Sequence, residues 1–216
     1  MGFGFEQAFR LTLRGNVLEL LGQGFGFAGG IIGIATGLPQ YFRIRKQGHH
    51  DGLALSPWIL MLATFSAFTA YGLMANSAAI WVCNLLTFFT TALVVTAVKG
   101  NGLKVWALIL AGGLACVALI FVLPPAITSI VLVLLTANRV PQLIRTWMNR
   151  RKAMVTAVSI SSLMVAFVSM ACWESYALLT GDHLVVLTTG VAIAITLATA
   201  LMEAHIARLA KRAALA

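Results

Sequence analysis

Apolar residues in this chain gather into long blocks, at 22–42, 56–74, 79–98, 105–123, 126–143, 158–178 and 184–202, with short polar stretches between them. A helix that crosses a bilayer takes about 20 mostly apolar residues. The pattern therefore predicts seven transmembrane helices. Residues 1–21 carry Glu6, Arg10, Arg14 and Glu19, unlike the basic start and apolar core of a cleaved signal peptide. Their Phe3, Phe5, Phe9, Leu13, Leu20 and Leu21 suit a short interfacial segment or a frayed tail on the extracytoplasmic side.

Composition agrees with a membrane protein. The chain has 216 residues, 60% hydrophobic and 10% charged, against about 25% charged in soluble domains, which excludes a two-domain soluble enzyme. Its 15 Lys and Arg against 6 Asp and Glu would suggest nucleic acid in a soluble protein. Here the cations sit between apolar blocks and orient them in the bilayer. Arg43, Arg45 and Lys46; Lys99 and Lys104; Arg145, Arg150, Arg151 and Lys152; and Arg208, Lys211 and Arg212 fall on one side of a seven-span topology, twelve in all, against Arg10 and Arg14 on the other. The positive-inside rule then puts the N-terminus outside and the C-terminus in the cytosol, in a plasma or inner membrane. If 105–123 did not cross, the last two basic clusters would move outward and the bias would largely vanish. Cys83, Cys116 and Cys172 lie inside the apolar blocks without metal-ligand spacing, so neither a disulfide framework nor a metal site is expected.

The chain also repeats itself. Ala35, Pro39, Gln40 and Arg43 recur as Ala137, Pro141, Gln142 and Arg145 at an offset of 102. The register continues with Leu55-Ser56 over Val158-Ser159, and with Tyr71 over Tyr176 at an offset of 105. Two homologous three-helix units follow. A second copy placed directly after three helices would be inverted; an intervening fourth helix restores the same orientation. The expected fold is all-α, with two parallel triplets joined by a linker helix (3+1+3). Its parts are an extracytoplasmic segment at 1–21, the first triplet at 22–98, the linker at 99–124, the second triplet at 125–204 and a basic cytosolic tail at 205–216. Pro-Gln at the cytosolic end of the first helix of each triplet, followed by a basic loop, resembles the PQ-loop family over nearly the whole chain. The two-triplet plan is similar to its SWEET branch of sugar transporters.

Pro39 and Pro141 each remove a helix hydrogen bond, so they predict hinges or static kinks near the cytosolic mouth, where Gln40 and Gln142 can bond the freed backbone. The resemblance implies further prolines on the second helix of each triplet; Pro57 fits, but its counterpart is Ile160, which makes the expected gate asymmetric. The resemblance also implies a tryptophan on the second helix and an asparagine on the third that hold a sugar. By register these are Trp173 and Asn84, and their repeat partners are Phe68 and Thr189. An aromatic face suits the C–H side of a sugar ring and an amide suits its hydroxyls. Interfacial anchoring for Trp and helix-to-helix bonding for Asn are the competing roles.

Gly22, Gly26, Gly29, Gly30, Gly33 and Gly37 make a small-residue stripe for close helix packing or for sliding. Glu174 is an acid within a span: it can titrate and couple transport to protons, or pair at the outer interface. Glu203 and Arg139 are expected to snorkel at the cytosolic ends, Asn138 to face the pathway or the backbone near Pro141, and Asn76 to make a turn. His49, His50 and Asp51 read as a solvated turn rather than a metal site. No phosphate loop, cofactor fingerprint or hydrolase constellation is present, so no enzyme activity and no cofactor are expected. The expected partners are a small polar solute and the lipid bilayer. Proton-coupled amino-acid transport and a non-transporting seven-helix receptor are the rival expectations.

Overall fold

The computed structural model describes residues 2–47, 55–149 and 160–213, and these are helical apart from short turns. The helices are α1 (Gly2–Gln47), α2 (Ser56–Met74), α3 (Ala78–Lys99), α4 (Leu103–Val122), α5 (Pro125–Thr136), α6 (Val140–Asn149), α7 (Ile160–Thr180) and α8 (His183–Ala213). Among the described residues six segments are long and apolar enough to cross a membrane: Gly15–Ala35, Ser56–Met74, Ala78–Lys99, Leu103–Val122, Leu163–Thr180 and His183–Ile206. Their outward faces carry large apolar side chains, such as Leu108 and Leu114 of α4 at 75% and 69% exposure. Water would not tolerate so much apolar surface; lipid would. We therefore read the chain as a multi-pass membrane protein.

Two segments differ from the sequence expectation. The apolar block at 126–143 does not form one long helix: α5 ends at Thr136, a 3-10 turn covers Ala137–Arg139, and α6 begins at Val140. Pro141 accounts for the break, because its ring would clash with the carbonyl four residues back, that of Ala137, in an unbroken α-helix. The N-terminal segment is neither a separate piece nor a frayed tail, since α1 is one helix of 46 residues. That length, about 69 Å at 1.5 Å per residue, is more than twice a hydrocarbon core. His49, His50, Asp51 and Ser159 lie outside the described residues.

Packing follows a pattern. α3 packs against both α1 and α2, and α8 packs against α5, α6 and α7. The main seam between the two groups runs between α1 and α7, with a slighter one between α2 and α5. α4 rests on α2 and α3. The tight turns that precede α3 and α8 match: Asn76 (φ 52°) and Gly181 (φ 72°) take left-handed backbone, and the next residue caps the helix. Ser77 Oγ accepts the Ile80 N–H at 3.3 Å, and Asp182 Oδ1 accepts the Val185 N–H at 3.0 Å. Asn76 is thus the turn residue its position predicts.

Candidate solute site

A cavity of about 470 Å³ lies between the helices, and Phe68, Asn84, Trp173 and Thr189 all line it. These residues come from α2, α3, α7 and α8, and each pair is separated by the same 105 positions. At one end the cavity reaches Ile80 and Val185; towards the other it reaches Pro57 and Asn138. No Asp, Glu, Lys, Arg or His lines it among the described residues. Its size is within the range of small-molecule sites.

The polar groups on its wall are specific in kind. Thr64, Thr87 and Thr199 donate their hydroxyl hydrogens to carbonyls four residues earlier in their own helices, which leaves oxygen lone pairs to face a solute. Asn84 donates one Nδ2 hydrogen to the Ile80 carbonyl at 2.8 Å. Its second N–H and its Oδ1 remain uncommitted among the described residues, as does the indole N–H of Trp173. Since no buried side-chain nitrogen or oxygen lacks a partner among the described residues, Asn84 Oδ1 and the Trp173 indole nitrogen are accessible rather than sealed in the core.

Trp173 is held in place by the glycine stripe. A Cβ at Gly29 would sit 3.0 Å from Trp173 Cδ1 and 2.9 Å from the Ser169 carbonyl oxygen, and one at Gly30 would sit 2.2 Å from Cys83 Sγ. Ser169 Oγ also donates to the Gly29 carbonyl at 2.8 Å. The absent side chains let α1 close on α3 and α7, so the stripe serves close packing. On its other side Trp173 meets the edge of Tyr176, with ring centroids 5.6 Å apart.

Beyond the Ile80 and Val185 end lies a reciprocal polar network. Tyr71 of α2 donates to Asp182 Oδ1 at 2.8 Å, and Tyr176 of α7 donates to Ser77 Oγ at 2.8 Å. Each tyrosine thus bonds a helix-capping residue in the other group of helices, and both pairs keep the 105 offset. Gln23 of α1 joins in: its Oε1 accepts the Ala79 N–H at 2.9 Å, and its Nε2 donates to Glu19 at 2.9 Å. Ala79, Ile80, Tyr176, Ala177 and Val185 pack into one buried apolar cluster beneath the network. A shallow hollow outside it, about 330 Å³, is lined by Glu19, Asp182 and His183 among others.

The remaining candidates fall as follows. Glu174 does not line the cavity; its carboxylate contacts the Thr189 hydroxyl. This places it against α8. Glu203 does not snorkel: it is 4% exposed and accepts from the Thr146 hydroxyl at 2.7 Å. Pro57 is the second residue of α2, a first-turn position where the missing N–H costs nothing, and Pro141 occupies the matching place in α6. Pro39 lies inside the continuous α1. The side chains of Pro39, Gln40, Gln142 and Arg139 lie outside the described residues.

Sequence reasoning did not single out Tyr71, Tyr176, Ser77 or Asp182 as a network. The signal was available: carrying the Tyr71 and Tyr176 register on by six residues pairs two helix-capping residue types, Ser77 and Asp182. The threonines of the cavity wall were missed because their helices are apolar all round and show no polar face.

No protein-family model matches the chain, and no curated protein does. Among solved structures, a eukaryotic SWEET transporter is similar with a TM-score of 0.71 and 16% identity, covering 89% of this chain and 99% of that one. At that identity the likeness establishes shared architecture: the chain has a SWEET-like fold.

Proposed function

We infer that the chain is a membrane transporter that carries a small, neutral, polar solute, with a sugar as the first choice, by alternating access between two three-helix units. In this reading α1 to α3 form the first PQ-loop unit, α5 and α6 act together as the first helix of the second unit with α7 and α8, and α4 is the linker of a 3+1+3 plan. The N-terminus is outside and the C-terminus cytosolic. One observation carries the reading: residues at repeat-related positions, Phe68 with Trp173 and Asn84 with Thr189, converge on one cavity beneath a reciprocal network that closes one end.

The chemistry supports a neutral solute. An aromatic face at Trp173, amide groups at Asn84 and threonine lone pairs match a ring with C–H faces and hydroxyl rims. Among the described residues the wall has no charged side chain, which favours a sugar over a zwitterionic amino acid, whose carboxylate would lack a counter-charge there. Breaking the Tyr71–Asp182 and Tyr176–Ser77 bonds would open the closed end, while the interrupted backbone before Pro141 supplies flexibility at the other. Uptake of labelled glucose by purified protein in liposomes, with and without a pH gradient, tests this. Saturable glucose uptake that needs no pH gradient is expected. Binding without flux would favour a receptor; flux of amino acids that requires a pH gradient would favour the proton-coupled alternative.

A further inference from the structure

α3 and α8 both line the cavity, but they do not offer it the same chemistry. On α3, Asn84, Thr87 and Thr90 follow one another three residues apart and all line the wall, a row about 9 Å long at 1.5 Å per residue. At the 105 offset α8 carries Thr189, Ala192 and Ile195, which line it too. The pair Thr91 and Thr196, by contrast, is threonine on both helices and buried on both. Ala192 and Ile195 show that this fold packs without a hydroxyl at those two places. Helix packing alone therefore does not account for Thr87 and Thr90.

The two hydroxyls are also fixed in direction. Thr87 Oγ1 donates to the Cys83 carbonyl at 2.7 Å, and Thr90 Oγ1 donates to the Thr87 carbonyl at 3.0 Å. A hydroxyl has one hydrogen, and a carbonyl can only accept. With that hydrogen turned into the helix, each oxygen meets the cavity as an acceptor. Asn84, one step nearer the tyrosine network, spends one Nδ2 hydrogen on Ile80 and keeps both a donor and an acceptor. We propose that Thr87 and Thr90 are specificity-determining residues: they form an acceptor edge along α3 that reads the hydroxyl or amide hydrogens of a neutral solute held at Asn84.

This role rests on the solute-carrier reading and adds to it a choice between donors and acceptors. A carbonyl or ether group placed against Thr87 or Thr90 would set oxygen against oxygen and lose the bonds it made in water. An ammonium group would donate, but no Asp or Glu lines the cavity among the described residues, and a cation taken from water needs a counter-charge. Ala192 and Ile195 give a solute nothing to bond on the α8 side. Its hydroxyl edge therefore belongs along α3, which fixes one orientation in the site.

Equilibrium binding to the purified chain in lipid nanodiscs tests this, with labelled glucose and its monofluoro-deoxy analogues as probes. Fluorine fits the space of a hydroxyl but cannot donate. Thr87→Val and Thr90→Val keep the shape and remove the oxygen, so each should weaken glucose binding about fivefold, the worth of one net hydrogen bond. Thr87→Ser and Thr90→Ser keep the oxygen and should bind glucose as the parent does. In the parent at least one fluoro analogue should bind more weakly than glucose, and the matching valine variant should no longer distinguish the two, because the acceptor that the fluorine fails to meet is gone. Valine variants that bind as tightly as the parent, or serine variants as weak as the valine ones, would overturn the proposal. Urea and myo-inositol separate it from the choice of sugar. If glucose does not bind but one of these does, and the valine variants weaken it, the sugar reading fails and the acceptor edge stands; if none of the three binds the parent, both fail.

Discussion

Removing the two tyrosine hydroxyls is the sharpest perturbation of the closed end. Tyr71→Phe deletes the 2.8 Å bond to Asp182, and Tyr176→Phe deletes the 2.8 Å bond to Ser77. Neither acceptor is left orphaned, since Asp182 keeps the Val185 N–H and Ser77 keeps Ile80 N–H and Gln23 Nε2. The cost is therefore that of a net hydrogen bond, about 1 kcal/mol each, and not the larger penalty of an unsatisfied buried group. One such loss shifts the balance between closed and open ends about fivefold, and two shift it about 30-fold if they add. The bonds lie in one network, so a double-mutant cycle measures their coupling. The readout is labelling of Thr87→Cys, in the cavity wall, by a membrane-impermeant thiol reagent, on a background in which Cys83, Cys116 and Cys172 are replaced by Ala. Labelling from the network side should accelerate by these factors, with little change from the opposite side. Unchanged rates in the double variant would refute the closing role; equal acceleration from both sides would indicate a general loosening of the bundle.

The other predictions concern the site, the seam, the break and the topology. Asn84→Ala and Trp173→Ala should each weaken glucose binding by about fivefold or more, as expected for a lost hydrogen bond or aromatic platform, while thermal stability in detergent stays close to that of the parent. Gly22→Ala should lower the melting temperature, because the new Cβ would sit 2.6 Å from Thr180 Cγ2; Thr180→Ser in the same chain removes that atom and should restore most of the loss. Pro141→Ala should let α5 and α6 run as one helix and slow liposome flux more than it weakens binding, whereas Pro39→Ala, in a helix that is already continuous, should have the smaller effect. Tags at Met1 and Ala216 should report opposite faces of the membrane in protease accessibility, and both tags on one face would refute seven crossings.

Apolar blocks of about 20 residues determine membrane helices almost by themselves, because a bilayer leaves the backbone few ways to satisfy its hydrogen bonds. That is why α2, α3, α4 and α7 begin and end close to the expected positions, and α8 begins there but runs on to Ala213. A register was legible too: the same residue types recur from Pro39 and Pro141 to Tyr71 and Tyr176, as two copies of one packing unit would require. The family resemblance, carried over by register, named Phe68, Asn84, Trp173 and Thr189 as a set, although only the packing of four helices brings them around one space. What the linear pattern could not determine depends on partners distant in sequence. Glu203 reads as a snorkelling end residue until α6 supplies Thr146, 57 positions away, to receive it in the interior. The sequence does not show which helix Glu174 meets; the fold sets it against Thr189 of α8. The threonines are invisible in a membrane helix because lipid and core demand the same apolar composition, and hydropathy alone cannot tell which face meets the cavity. Tertiary packing decides that face, since a hydroxyl bonded to its own helix can be placed against lipid, core or solute at little cost.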